Sequence, residues 1–130
     1  GTSTGGMFGK KWGRIGDAPV IGAGTYADNE GVAVSCTGHG EYFIRHSVGY
    51  NLNARYKFLG ESLEEAASHI IFNELNREEG NGGLIAVDKD GNFTMPFNCS
   101  GMYRGYLYKE KGTGKVVEAY GINDKLIEKQ

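Results

Sequence analysis

The sequence is short of cysteine, of net charge and of apolar length, and each shortage closes off a class of function. Its two cysteines, Cys36 in an apolar segment and Cys99 in a polar turn, supply neither a disulfide framework nor metal-ligand spacing. Two free thiols in a reducing, cytoplasmic setting are therefore expected. The 14 basic and 16 acidic residues give a net charge of −2 with no basic cluster, which argues against nucleic acid as a partner. No apolar run approaches the roughly 20 residues that cross a bilayer, and the start lacks the basic-then-apolar pattern of a signal peptide, so no membrane role is expected. His39, His46 and His69 are scattered, without carboxylates at ligand spacing, so no metal site is expected. No glycine string fits a dinucleotide or P-loop fingerprint, and no cofactor is expected.

What the chain has in excess is glycine: 22 of 130 residues, about 17% against an average near 7%. The glycines gather before position 41, in GTSTGGM, GRIGDAP, IGAGTYA and TGHGE. That distribution reads as loops around a site, followed by scaffold. Two glycosylation triplets, at Asn92 and Asn98, carry little weight because such triplets arise by chance.

The branched run Val32 to Cys36 predicts a short strand buried on both faces, ending at Thr37-Gly38-His39-Gly40. From Glu41 the pattern turns helical, with Ile44, Val48, Leu52, Tyr56 and Leu59 along one stripe. Gly60 separates a second helix, in which Ser62 and Glu65 form a capping box and Leu63, Ala66, Ala67, Ile70, Ile71 and Leu75 mark the buried face. The two helices are expected to pack antiparallel. LIAVD, Lys89-Asp90-Gly91 and NFTMPF predict a hairpin. Strands are expected from Met102 to Tyr108 and from Lys115 to Tyr120, before a frayed charged tail. The class is α+β, a single domain over 1–130, small enough that a partner chain is readily accommodated.

Two segments carry chemistry. At TGHGE a strand ends and a helix begins, so Thr37 and Gly38 are placed to offer donors to a developing oxyanion. The same residues also suit a mere chain turn, with Glu41 complementing the helix dipole. In GRIGDAP, Arg14 and Asp17 lie three apart. The guanidinium suits a carboxylate and the aspartate an ammonium, as in the zwitterionic end of an amino acid. A salt bridge between Arg14 and Asp17 themselves fits the spacing equally well. The three histidines read as ordinary surface or loop residues.

Taken in order, TSTGGM, GRIGDAP, GAGTYADN, AVSCTGHGE, GGLIAVD, MPFN and GMYRG resemble the β-subunit of plant-type L-asparaginases, also called isoaspartyl aminopeptidases, from Gly1 to about Tyr108. The resemblance implies an N-terminal-nucleophile hydrolase fold, an αββα sandwich of which this chain supplies the helix pair and antiparallel strands. The rest would come from an α-subunit cut from the same precursor, with αβ units forming a dimer. It implies hydrolysis of the side-chain amide of asparagine and of β-aspartyl dipeptides by a threonine whose own α-amine is the base. By motif, Thr4 matches the threonine that supports the nucleophile, and Thr37 and Gly38 match the oxyanion hole. Arg14 matches the residue on the substrate α-carboxylate; Asp17, with Gly40, matches the group on its ammonium.

The family's nucleophile-bearing strand does not precede Gly1 here, and Thr2 has no free amine of its own. The expectation is a chain that does not catalyse alone. A glycosylasparaginase-like amidase, a non-catalytic fragment that keeps the pocket, and a generic α+β binding domain are the alternatives.

Overall fold

The branched run does form a strand, and in the computed structural model it runs past the expected stop. The structure describes residue 1 and residues 7–123 and 125–129. They fall into two compact units, divided after Asn98, each taken by itself below.

In the first unit, β1 (Thr25–Ala27), β2 (Val32–Gly38), β3 (Gly82–Asp88) and β4 (Phe93–Thr94) make an antiparallel sheet in that order. Side chains alternate along β2 and β3, as the pleat requires. Val32, Val34, Cys36, Leu84 and Ala86 are buried. Ala33, Ser35, Thr37, Ile85 and Val87 lie on the opposite face, where Ile85 is 45% exposed and Val87 43%. Burial on both faces, expected for β2, is thus met on one face only.

β2 continues to Gly38 because Thr37 pairs with Gly83 and Gly38 with Gly82. Gly38 has φ +142° and Gly82 +147°, and a Cβ on Gly38 would stand 2.4 Å from the Asn81 carbonyl oxygen. Two facing glycines are what allow the strands to close here.

The single helical stripe expected from Glu41 is corrected to two helices. α1 (Gly40–Arg45) ends at His46-Ser47, where Ser47 has φ 46°, and α2 (Val48–Ala54) then runs into a π-helical turn, Arg55–Leu59. The left-handed residue breaks the helical phase, so Phe43 is buried while Ile44 is 38% exposed. Val48 and Leu52 keep their buried places, but Leu59, beyond the π turn, is 65% exposed. The first-turn N–H groups of α2 have no side-chain cap. Instead Gly49 N–H donates to the Ala23 carbonyl (2.9 Å) and Tyr50 N–H to that of Gly22 (2.8 Å), which pins the IGAG loop to the helix.

α3 (Leu63–Ser68) carries the expected capping box, Ser62 Oγ accepting from the Glu65 N–H at 3.2 Å and Glu65 Oε2 accepting from the Ser62 N–H at 3.0 Å. It widens into a π-helical segment, His69–Glu74, and closes as α4 (Leu75–Arg77). All six apolar positions assigned to its inner face are buried. Across the helix pair, Arg45 meets Glu78, Asn51 meets Glu74 and Arg55 meets Glu61. Partner numbers fall as the first chain rises, which is the antiparallel arrangement expected.

The hairpin also forms, pairing Ala86 with Thr94 and Val87 with Phe93. The second unit is an antiparallel sheet of β5 (Arg104–Lys109), β6 (Val116–Gly121) and β7 (Ile127–Lys129). β7 corrects the expectation of a frayed tail: Tyr120 pairs with Ile127 and Ala119 with Glu128.

Candidate active site

The GRIGD loop closes onto the start of α1. Glu41, in the first turn of that helix, accepts from Arg14 Nε at 3.2 Å and from Arg14 Nη2 at 3.1 Å. The partner of Arg14 is therefore Glu41, 27 residues away, rather than Asp17. Sequence spacing had assigned Glu41 only a dipole role. Hydrogen bonds accepted from its own backbone N–H, and then from the Arg14 side chain, hold the Glu41 carboxyl below its ordinary range.

Asp17 is built in more deeply. Its carbonyl accepts from the Val20 N–H at 2.9 Å and from the Gly24 N–H at 3.2 Å, and the residue is only 7% exposed. The carboxylate lies between two glycines: a Cβ on Gly24 would stand 2.6 Å from Oδ2, and one on Gly40 would stand 2.7 Å from Oδ1. Among the described residues Oδ2 has no hydrogen-bond partner. Burial pushes this carboxyl above its usual value; backbone hydrogen bonding and the Arg14 charge oppose that, and the Glu41 charge adds to it. A buried, unpartnered carboxylate oxygen is costly, and a cation brought to it would recover much of that cost.

Gly24 links this pair of glycines to β2, since its carbonyl accepts from the Cys36 N–H at 2.8 Å. In an antiparallel ladder successive N–H groups point to alternate neighbours. Cys36 donates toward β1 and His39 donates to Asn81, at 3.0 Å, on the β3 side. The Thr37 N–H is thereby directed to β3 and the Gly38 N–H to the side where β1 has ended. Both residues are exposed. The donors available at this corner are the Thr37 hydroxyl and the Gly38 N–H, a finer division than two freed backbone groups.

Arg14, Asp17 and Gly40 are thus brought together, with Thr37 and Gly38 three and two residues before Gly40 along the chain. Thr4 lies outside the described residues. His39 is exposed at the N-cap of α1 and makes no capping bond, while His46 and His69 face Glu74 and Glu78 within the helix pair. No group of metal-ligating side chains occurs among the described residues, and no described helix is long and apolar enough to cross a membrane. A cleft of about 360 Å³ lies elsewhere, between Tyr56, Leu63, Asp88 and Phe93.

One residue that sequence reasoning missed supports the strand end from behind. Asn98 Oδ1 accepts from the Gly82 N–H at 2.8 Å, and Nδ2 donates to the carbonyls of Ile71 (3.1 Å) and Gly80 (3.0 Å). The sequence marks it only by a glycosylation triplet and as the last residue of MPFN, with no role attached, yet the amide is engaged inside the fold.

The family model for asparaginase matches residues 1–118. The chain is 50% identical over 121 residues to an isoaspartyl peptidase of Escherichia coli (strain K12), an alignment covering 85% of this chain and 38% of that protein. It is 51% identical over 107 residues to the isoaspartyl peptidase of Salmonella typhimurium (82% and 34%). It is 42% identical over 101 residues to an isoaspartyl peptidase/L-asparaginase of Homo sapiens (78% and 32%). The chain spans about a third of the length of these relatives. Matched over nine-tenths of its length by one family model, it belongs to the asparaginase family.

Proposed function

We propose that this chain is the substrate-holding part of a threonine-dependent amidohydrolase that releases L-aspartate from L-asparagine and from β-aspartyl dipeptides. The observation that carries the reading is the Asp17 carboxylate, buried beside Arg14 with one oxygen unpartnered among the described residues. A cationic guanidinium next to a buried carboxylate is complementary to an amino acid's α-carboxylate and α-ammonium. Relatives bearing the names isoaspartyl peptidase and L-asparaginase supply the reaction.

In the proposed mechanism Arg14 holds the α-carboxylate, and Asp17 with the Gly40 carbonyl holds the α-ammonium. The side-chain amide then lies toward Thr37 and Gly38. The hydroxyl of a nucleophilic threonine in the assembled protein adds to the amide carbon, its proton passing to that threonine's α-amine. The Thr37 hydroxyl and Gly38 N–H stabilise the oxyanion. The C–N bond breaks, the amine leaves with the proton, and water cleaves the ester to free aspartate. Thr4 would support the nucleophile.

The outward sheet face favours a partner. Ile85, Val87 and Phe93, each more than 40% exposed, give an apolar surface of the kind a second sheet covers. An α-subunit supplying that sheet would complete an αββα sandwich, with 1–130 as the β-subunit segment and αβ units forming a dimer.

The test is incubation of the purified protein with L-asparagine and with β-aspartyl-leucine, assaying ammonia and aspartate, beside Arg14→Ala. Release by the wild type and its loss in the variant support the reading. Aspartate binding without turnover would leave only the non-catalytic alternative, and no binding at all would overturn both.

A further inference from the structure

Arginine offers two forked edges: a side edge, made by Nε and one Nη, and an end edge, made by the two Nη groups. Glu41 occupies the side edge of Arg14, through Nε and Nη2. Nη1, on the end edge, makes no hydrogen bond to Glu41, and it lies beside Gly16, where a Cβ would stand 2.9 Å from it and crowd that edge. One guanidinium can therefore hold Glu41 and a second carboxylate at once.

The two partners differ in their surroundings. The Arg14 side chain is 19% exposed and that of Glu41 56%. An ion pair with one partner this open adds little to stability. Its effect is to restrict a long, rotamer-rich side chain to one orientation, and such ordering, made before a ligand arrives, is recovered as affinity.

We propose that Glu41 is a positioning residue that fixes Arg14 so that its end edge faces the incoming α-carboxylate; this rests on the role given to Arg14 above. The opposite sign is also chemically possible: a Glu41 that competed for the guanidinium would weaken binding, and its removal would tighten it. Use of the side edge alone favours positioning.

Calorimetric titration with L-aspartate, on the protein purified as it assembles, separates the two. Glu41→Ala is expected to weaken binding about threefold to tenfold, the scale of one immobilised side chain. Glu41→Gln, which keeps an acceptor for one N–H, should fall between. Glu41→Asp keeps the charge but shortens the reach, and is also expected to weaken binding; a purely electrostatic role would leave it unchanged. In turnover the loss should appear in KM, with kcat retained. β-Alanine, which lacks the α-carboxylate, should show no difference among the variants. Binding in Glu41→Gln and Glu41→Asp equal to or tighter than wild type would overturn the positioning role and leave the role of Arg14 standing. A wild type that does not bind aspartate would remove the functional reading itself, and this proposal with it.

Discussion

The carboxylate of Asp17 rests against the backbone of Gly40, so close that a Cβ added to Gly40 would meet Asp17 Oδ1 and the Asp17 N each at 2.7 Å. Residues 23 apart in sequence are thereby fixed as one unit, the loop carrying Arg14 and the helix carrying Glu41. Gly40→Ala cannot be absorbed by a flexible chain end, because one of the atoms it meets is backbone. The variant should push the GRIGD loop off α1, cost about 1–3 kcal/mol in stability and weaken aspartate binding at least tenfold. Thermal melts and titration with aspartate measure the two effects.

The glycine pair across β2 and β3 makes a second prediction. At φ +147°, with a Cβ position 2.2 Å from the Thr37 carbonyl oxygen, Gly82→Ala must open the ladder at the strand end. Strain and overlap together should cost about 2 kcal/mol or more. Because the Gly38 N–H would lose its fixed direction, kcat should fall more than KM rises. An unchanged kcat in a folded Gly82→Ala protein would remove Gly38 from the oxyanion role.

What was legible in the sequence was local. Ser62 and Glu65 announce their capping box because the partners lie three residues apart, and the inner face of α3 follows from spacing alone. The break at Ser47 was not legible, because what fixes it is remote: the carbonyls of Gly22 and Ala23 take the N–H groups of Tyr50 and Gly49. The pairing of Glu41 with Arg14 was hidden for the same reason, since nothing in the spacing of GRIGD and TGHGE shows that Arg14 reaches forward to it. β7 was missed because its register is set by pairing with Tyr120 and Ala119 rather than by an apolar pattern of its own. Arg14, Asp17 and Gly40 were selected by motif, and the structure brings those three together.

Asn98 gives a stability prediction. Its amide joins the Gly82 N–H to the carbonyls of Ile71 and Gly80, tying the start of β3 to the second helix and to the turn that follows it. Asn98→Ala removes these bonds, at a cost of about 2–4 kcal/mol if two of the groups are left unsatisfied. Asn98→Asp should be at least as damaging, because a carboxylate oxygen would then face two carbonyls with no hydrogen to offer them. Denaturant unfolding of both variants measures the order.

Asp17 should show a conflict between stability and function. Its carboxyl is raised in the folded chain, chiefly by burial, so the folded state binds this proton more tightly than the unfolded state does. The contribution to stability is therefore unfavourable at neutral pH, and it is relieved as pH falls through the folded value toward the unfolded one, near 3.9. Asp17→Asn removes the charge without removing the volume. At pH 7 it should stabilise the protein by about 1 kcal/mol, and that gain should shrink as the pH is lowered. Binding responds in the opposite sense, because an ammonium needs the ionised carboxylate: Asp17→Asn should lose most affinity for aspartate. In the wild type KM should begin to climb, on acidification, at a higher pH than an ordinary aspartate would give. Melting temperatures and KM measured on both proteins from pH 7 down to pH 4 test the two halves together. A variant less stable than wild type at pH 7 would show that Asp17 has found a partner in the assembled protein even before substrate arrives.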